Sequence, residues 1–401
     1  MSDTPLIFAD NNATTPVAPE VVAAMQPFFG PEFFNPSSMY EPALKVAGAL
    51  KAARQTVAAF LGGVEPSEVL FTSCATESNN AALFGVAAAN PKRKHVVTSA
   101  VEHPAVLEVC RELQRRGHDV TILPVDRQGR IATADYVRAL RPDTLLVTLM
   151  HANNETGVVW PVGDWARIAK ETDPGIVFHT DATQTAGKLP LDLVGELAHV
   201  DLLSFSGHKM HAPKGVGVLY VRRGTPLRPY LLGGHQEAGR RGGTENVPYV
   251  VGLARACELA KEHAPDMVRI GKLRDWLEEE ILRTVPYVEI NGRGVDRMPN
   301  TLNMACHFIE GESILYELNG YGICASTGSA CSSGSLEPSH VLKAMGVPFT
   351  AMHGSVRLSF SAYTTEAEVK RIAEIFPKVV ANLRNMSPYW DQKRNCPREN
   401  A

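Results

Sequence analysis

The sequence predicts an α/β protein with a mostly parallel seven-stranded sheet in a large domain and a smaller α+β domain after it. Three observations carry this. Between Glu68 and Tyr220 short apolar runs alternate with helical segments, the pattern of a parallel sheet covered by helices on both faces. After Gly252 the pattern changes to two long helical stretches and then a mixed segment. The unusual polar residues of the first region cluster just after its apolar runs, where an open parallel sheet binds ligands.

Strands are expected at Val69–Ser73, His95–Thr98, Val120–Leu123, Leu145–Leu149, Ile176–His179, Leu202–Phe205 and Val216–Val221, with helices such as Asn79–Ala89, Ala105–Arg116 and Gly163–Thr172 between them. The long helical patterns are Leu253–His263 and Val268–Thr284. Strands near Val288–Ile290, Thr301–Ala305 and Ser355–Ser359 and helices at Glu312–Asn319 and Glu366–Leu383 make the smaller domain. The boundary is expected in the helical stretch around 255–285. Ser326–Ser335 has almost no bulky side chain and reads as an accessible loop. Asp391–Ala401 reads as a frayed polar tail.

A chain of 401 residues suits two packed domains. A net charge of -3 argues against nucleic acid as the main ligand. The start, MSDTPLIFADNNATTP, fits neither a signal peptide nor a membrane span. The seven cysteines are scattered and form no CxxC pair, which fits neither a zinc knuckle nor a disulfide framework and points to a reducing, cytoplasmic compartment. The run His208–His211 does not assemble a metal site, because its spacing brings at most two ligands together and no acid completes them, so no metal is expected.

The chemistry-bearing residues follow the strands. Thr72–Ser78 opens a helix, whose free N–H groups and the Thr76 hydroxyl suit a phosphate; the same residues also read as a helix cap. His103 sits at a strand-to-helix turn before Pro104, placed to stack on a flat ring or carry a proton, or to be a surface histidine. Asn153 and Asn154 offer amide donors in a turn, and Asp181 offers either a carboxylate for a ring nitrogen or a cap. Lys209, ending Ser204–Lys209, can be a desolvated, nucleophilic amine. The glycine-rich stretches Gly233–Glu237 and Arg240–Asn246 read as a loop over an anion, a contact with a neighbouring subunit, or a surface loop. Cys331 is a single thiol in an open loop, reactive or incidental. Together a phosphate cradle, a ring stacker, amide donors, an acid and a lysine form the set that binds pyridoxal phosphate.

The blocks FTSCATES, VEHPAV, ANNETG, HTDATQ, GHKMHAPKGVGVLY, GGHQEAGRRGGTEN, STGSACSSGSLEPSH and HGSVRLSFSAYTTEAE, in this order, resemble the cysteine desulfurases. The resemblance is to the NifS type, which supplies sulfur for nitrogenase clusters, within the class V aminotransferases of pyridoxal-phosphate fold type I. It implies a large domain over 17–260, a small domain from 1–16 and 261–390, and a tail over 391–401. It implies that Lys209 bonds the cofactor aldehyde, Asp181 pairs with its ring nitrogen, Gln184 bonds its ring oxygen and His103 stacks on the ring and takes part in proton transfer. Ala75, Thr76, Ser206 and His208 would hold the phosphate, with Thr244 reaching the phosphate of the partner in a homodimer. Asn154 and Arg357 would orient L-cysteine, Arg357 clamping its carboxylate, and Cys331 would take the sulfur and pass it to a NifU-like scaffold. The resemblance also leads to a small residue being expected where this chain has Cys324, which reads as a spectator or as a second thiol resolving the persulfide. A selenocysteine lyase or another pyridoxal-phosphate aminotransferase is the nearest alternative, and a non-catalytic sulfur or iron carrier an alternative of a different class.

Overall fold

The computed structural model describes residues 6–327, 338–394 and 396–398. Strands Val69–Thr72, His95–Ser99, Asp119–Leu123, Thr144–Thr148, Val177–Asp181, Leu202–Ser206 and Gly217–Val221 form one seven-stranded sheet. Their order across it is 69–72, 217–221, 202–206, 177–181, 144–148, 95–99, 119–123. Six strands run the same way; Gly217–Val221 runs against both of its neighbours. The inner strands are buried along their whole length, as expected where helices cover both faces, whereas the edge strand Asp119–Leu123 is largely open.

All seven sheet strands lie where the apolar runs placed them. Three helices begin earlier than their patterns suggest, among them Ala264–Thr284, expected from Val268. The helix Ala75–Ala89 starts directly after an extended Cys74, so Thr76, Glu77 and Ser78 form its first turn and do not cap it from outside. The helix Val247–Glu262 runs through Gly252. That glycine is no break: the helix lies so close to helix Pro19–Met25 that a Cβ there would meet the Met25 sulfur at 2.6 Å.

A separate apolar cluster gathers Ile7, Ala9, the helix Ala264–Thr284, the strands Val288–Ile290, Thr301–Cys306 and Ser355–Ser359, and the helices Gly311–Gly320 and Glu366–Met386. The chain start joins it: Ile7–Phe8 pairs in parallel with Ile323–Cys324, and Asp10 bridges to Ser359. The arm then crosses to the large sheet, where the Thr15 hydroxyl donates to the His208 carbonyl. The tail departs from expectation. Trp390–Asp391 pairs with Cys396–Pro397, because Trp390 is buried against Tyr287 and Phe308 with the Arg384 guanidinium over its ring.

Where the turn before Ser355 meets strand Thr301–Cys306, a Cβ on Gly354 would stand 1.9 Å from the Cys306 carbonyl oxygen and 2.7 Å from that of Ile309. Backbone cannot yield as a flexible side chain does, so Gly354→Ala should destabilise the protein by about 2–3 kcal/mol. Thermal denaturation is expected to show a lowered midpoint; an unchanged midpoint would contradict this packing.

Candidate active site

The carboxyl ends of the parallel strands open on a cavity of about 440 Å³. Strand Val69–Thr72 delivers Ala75 and Thr76 at the first turn of the following helix; strand His95–Ser99 delivers His103; strand Thr144–Thr148 delivers Asn154; strand Val177–Asp181 delivers Asp181 and Gln184; strand Leu202–Ser206 delivers Ser206, His208 and Lys209. Arg357 enters from strand Ser355–Ser359 on the other core. Ten residues far apart in sequence thus share one cavity wall, and all ten were expected from the sequence.

Backbone packing shapes the end of the cavity at the start of helix Ala75–Ala89. Gly217 pairs with Thr72 on one side and Ser206 on the other. A Cβ on it would stand 2.7 Å from the Cys74 carbonyl carbon and 2.9 Å from the Thr72 hydroxyl. Only a glycine lets the start of helix Ala75–Ala89 settle here, its N–H groups and positive dipole end at the cavity. Glu77, in that first turn, would oppose an anion. Its carboxylate instead accepts from the Ser73 N–H at 2.7 Å and pairs with Arg241 at 2.9 Å. Burial pushes Glu77 up, but the bonds from Arg241 and Ser73 outweigh it and hold the carboxyl below its ordinary value.

Lys209 ends a single tight turn, Gly207–Lys209. Its amine donates to the carbonyl oxygens of Asn12 at 2.7 Å and Ala13 at 2.6 Å. Asn12 also accepts from the Gln184 amide at 3.2 Å, while its own side chain bonds Thr301 and Asn300 of the second core. Asp181 is buried and accepts from the Asn79 amide at 2.7 Å and the Thr183 N–H at 2.9 Å, so both oxygens are fixed in direction. The His103 Nδ1 accepts from the Ala105 N–H at 3.1 Å, which leaves the proton of the neutral ring on Nε2. Burial holds His103 below its ordinary value, although Asp181 opposes this. Burial likewise pushes His208 down to about 4, with Lys209 adding to it. Glu102, behind His103, is pushed up to about 8 by burial and stays protonated at neutral pH.

Arg357 is buried; it donates to the Asp10 carboxylate at 2.8 Å and to the Asn154 carbonyl at 2.9 Å. Its strand also exchanges backbone bonds with Ser326, at 2.6 Å from the Arg357 N–H. On the far side of the undescribed stretch, the Ser339 hydroxyl donates to buried Glu155 at 2.5 Å and the His340 ring bonds the Glu102 carbonyl at 2.9 Å. Cys331 itself lies outside the described residues. Thr244 is exposed and does not line this cavity.

The residues present fit pyridoxal phosphate. Four side-chain oxygens on the wall, Asn79 Oδ1, Thr183 Oγ1, Gln184 Oε1 and Ser206 Oγ, are shut off from solvent with no hydrogen-bond partner among the described residues. Leaving such groups unsatisfied costs about 1–3 kcal/mol each, so the wall is built for a polar ligand with several acceptors and donors. A helix N-terminus, an amine and a directed carboxylate complete a donor set matched to a phosphate, an aldehyde and a ring nitrogen.

Sequence reasoning missed Asn12, Ala13, Asn79 and His340, all on the wall. Asn12 and Ala13 act through backbone carbonyls, which no residue pattern announces. Asn79 meets Asp181 across 102 positions; the available signal was an amide on an otherwise apolar, buried helix face. Cys324, placed on a short strand, is partly rather than fully buried.

Residues 7–372 match the family described as aminotransferase class-V. "Cysteine desulfurase 2" of Trichormus variabilis is 52% identical over 384 residues, covering 96% of this chain and 95% of that protein. "Cysteine desulfurase NifS" of Azotobacter vinelandii is 52% identical over 387 residues, covering 96% and 95%. A solved structure titled NifS-like protein superposes with a TM-score of 0.88 at 38% identity, covering 94% of this chain and all of that one. The chain belongs to the class V aminotransferase family and, within it, to the cysteine desulfurases.

Proposed function

We propose that this protein converts L-cysteine to L-alanine and leaves the sulfur as a persulfide on Cys331, for iron–sulfur cluster assembly and, from its likeness to NifS, nitrogenase clusters. The observation that carries this is the cavity's wall: an amine, a directed carboxylate and a helix N-terminus at one sheet edge, faced by a buried arginine from the second core.

Pyridoxal phosphate, when bound, supplies an aldehyde for amine capture and a ring that accepts the electron pair released at the substrate's Cα. The chain's residues then divide the work. Lys209 holds the aldehyde end and, once free, carries the Cα proton. Asp181, held by Asn79 and Thr183, keeps a proton on the ring nitrogen. Gln184 would bond the ring oxygen, and His103 would stack on the ring and take part in proton transfer. Ala75, Thr76, Ser206 and His208 hold the phosphate. Arg357, fixed by Asp10 and supported by Asn154, takes the substrate carboxylate as a planar fork.

The sulfur step balances without an outside reductant. The Cys331 thiolate bonds to the substrate sulfur, the substrate C–S bond breaks with its electron pair left on carbon, that carbon takes up a proton to become the methyl of alanine, and the sulfur pair is oxidised to persulfide. Four of the other six thiols support this choice. Cys110, Cys257 and Cys306 are buried, and burial raises all three, Cys110 and Cys306 to about 12; Cys324 is raised by burial and then by Asp10. Thiolate is the nucleophile, so these four are poor ones. Cys331 stands nine residues before His340, which lines the cavity.

The functional unit is read as a homodimer in which Thr244 reaches the partner's phosphate. Phe33, Met39, Tyr40 and Leu232 are exposed apolar side chains. A NifU-like scaffold is the expected sulfur acceptor, and the cytoplasm the expected compartment. Among the described residues no helix is long and apolar enough to cross a membrane.

Three substitutions test this reading. Lys209→Ala should abolish the visible band of the loaded protein and all alanine formation. Cys331→Ala should keep the band and lose sulfide release; wild-type turnover in either variant contradicts the assignment. Gly217→Ala should weaken pyridoxal phosphate binding at least about tenfold by displacing the helix start, measured by equilibrium titration of the visible band; unchanged affinity would remove the phosphate from this end of the cavity.

A further inference from the structure

Lys188 has no part in the chemistry above, yet it lies against it. Its amine donates to the Gln184 carbonyl at 3.1 Å and to the Lys209 carbonyl at 3.2 Å. One side chain therefore ties the loop after strand Val177–Asp181 to the turn after strand Leu202–Ser206. The approach is close. Gly187, with φ of 76°, lies where a Cβ would stand 2.8 Å from the Met210 Cβ. Lys209 lines both the large cavity and a second, small one of about 30 Å³, and Lys188 lines the second.

The charges around this corner are also unequal. His208 is held down near 4 by burial, then by Lys209, Lys214 and Lys188. His211 is held near 4 by burial, with the Pro16 carbonyl opposing and Lys188 and His263 adding. His103 is lowered by burial, with Asp181 opposing and Lys209 and His340 adding to the effect. Burial thus disfavours the imidazolium form of all three. Lys188 is lowered to about 7, by burial first and by the charge of Lys209 second. The charge of Lys209 is thus felt at the Lys188 amine.

We propose that Lys188 is a positioning residue for Lys209: it fixes the backbone of Lys209 to that of Gln184, and its positive charge opposes a proton on the Lys209 nitrogen. This rests on the reading of Lys209 as the amine that bonds pyridoxal phosphate. The sign follows from like charges: removing the Lys188 amine makes a proton on the Lys209 nitrogen easier to keep, so that nitrogen loses it at higher pH.

The test compares wild type, Lys188→Met and Lys188→Arg, each loaded with pyridoxal phosphate. The readouts are the pH titration of the visible band, the cofactor dissociation constant and the melting midpoint without cofactor. Lys188→Met should move the titration midpoint up by about half a unit to one unit and weaken cofactor binding about tenfold, the worth of one or two hydrogen bonds. Lys188→Arg should hold the midpoint close to wild type. If Lys188→Met does not fold, Lys188→Gln takes its place with the same expected upward shift. A neutral variant with wild-type midpoint and affinity overturns the proposal, as does a change confined to the melting midpoint. Borohydride reduction of the wild type separates the two readings. Cofactor fixed anywhere but Lys209 defeats the parent reading; cofactor on Lys209 with an unshifted neutral variant defeats this one.

Discussion

The backbone carbonyl of Asn12 is where the two cores of the molecule meet. It accepts from Lys209 and from Gln184 at the edge of the large sheet, while the Asn12 side chain bonds Asn300 and Thr301 of the second core. Six of the seven strands end at that edge, so every loop that brings a chemical group opens toward the same point. The chain start, which pairs with Ile323–Cys324 before crossing over, therefore sets the place of the reactive amine relative to Arg357 on the opposite wall. Neither core holds a complete site: the amine and carboxylate belong to one, the arginine to the other.

Much of this was legible in the sequence because its cause is local. Continuous apolar runs specify buried parallel strands, and polar residues directly after them have nowhere to go but the carboxyl edge. That is why Lys209, Asp181 and His103 stand out in the amino-acid pattern alone. Where tertiary contact decides, the pattern misleads. Gly252 interrupts a helix in composition but not in space, because it admits the close approach of Met25. Trp390 heads a polar tail and still holds it down, because its ring finds Tyr287, Phe308 and Arg384. The Asn12 and Ala13 carbonyls and the Asn79 amide were invisible for the same reason: a backbone oxygen carries no residue signature, and Asn79 has meaning only once Asp181 is beside it.

The electrostatics of the cavity follow from burial more than from net charge. Glu102 is kept neutral, His208 and His179 are kept uncharged, and Glu77 is tied to Arg241, so the helix N-terminus is left without a competing anion. The buried thiols are raised in the same way. The same low-dielectric surroundings that silence these groups strengthen the few charges left to act, Asp181, Lys209 and Arg357 among them. The cofactor part of the functional reading stands on this described geometry. The sulfur part stands on Cys331, which the family likeness names and the raised thiols of Cys110, Cys257, Cys306 and Cys324 favour.

The most direct measurement is the position of the sulfur itself. The protein loaded with pyridoxal phosphate is given L-cysteine without an acceptor, its free thiols are alkylated, and its peptides are analysed by mass spectrometry. The account predicts one additional sulfur atom on the peptide carrying Cys331, with alanine released in equal amount. Sulfur on the peptides of Cys324 or Cys74, or alanine formed with no sulfur retained on the protein, would contradict it.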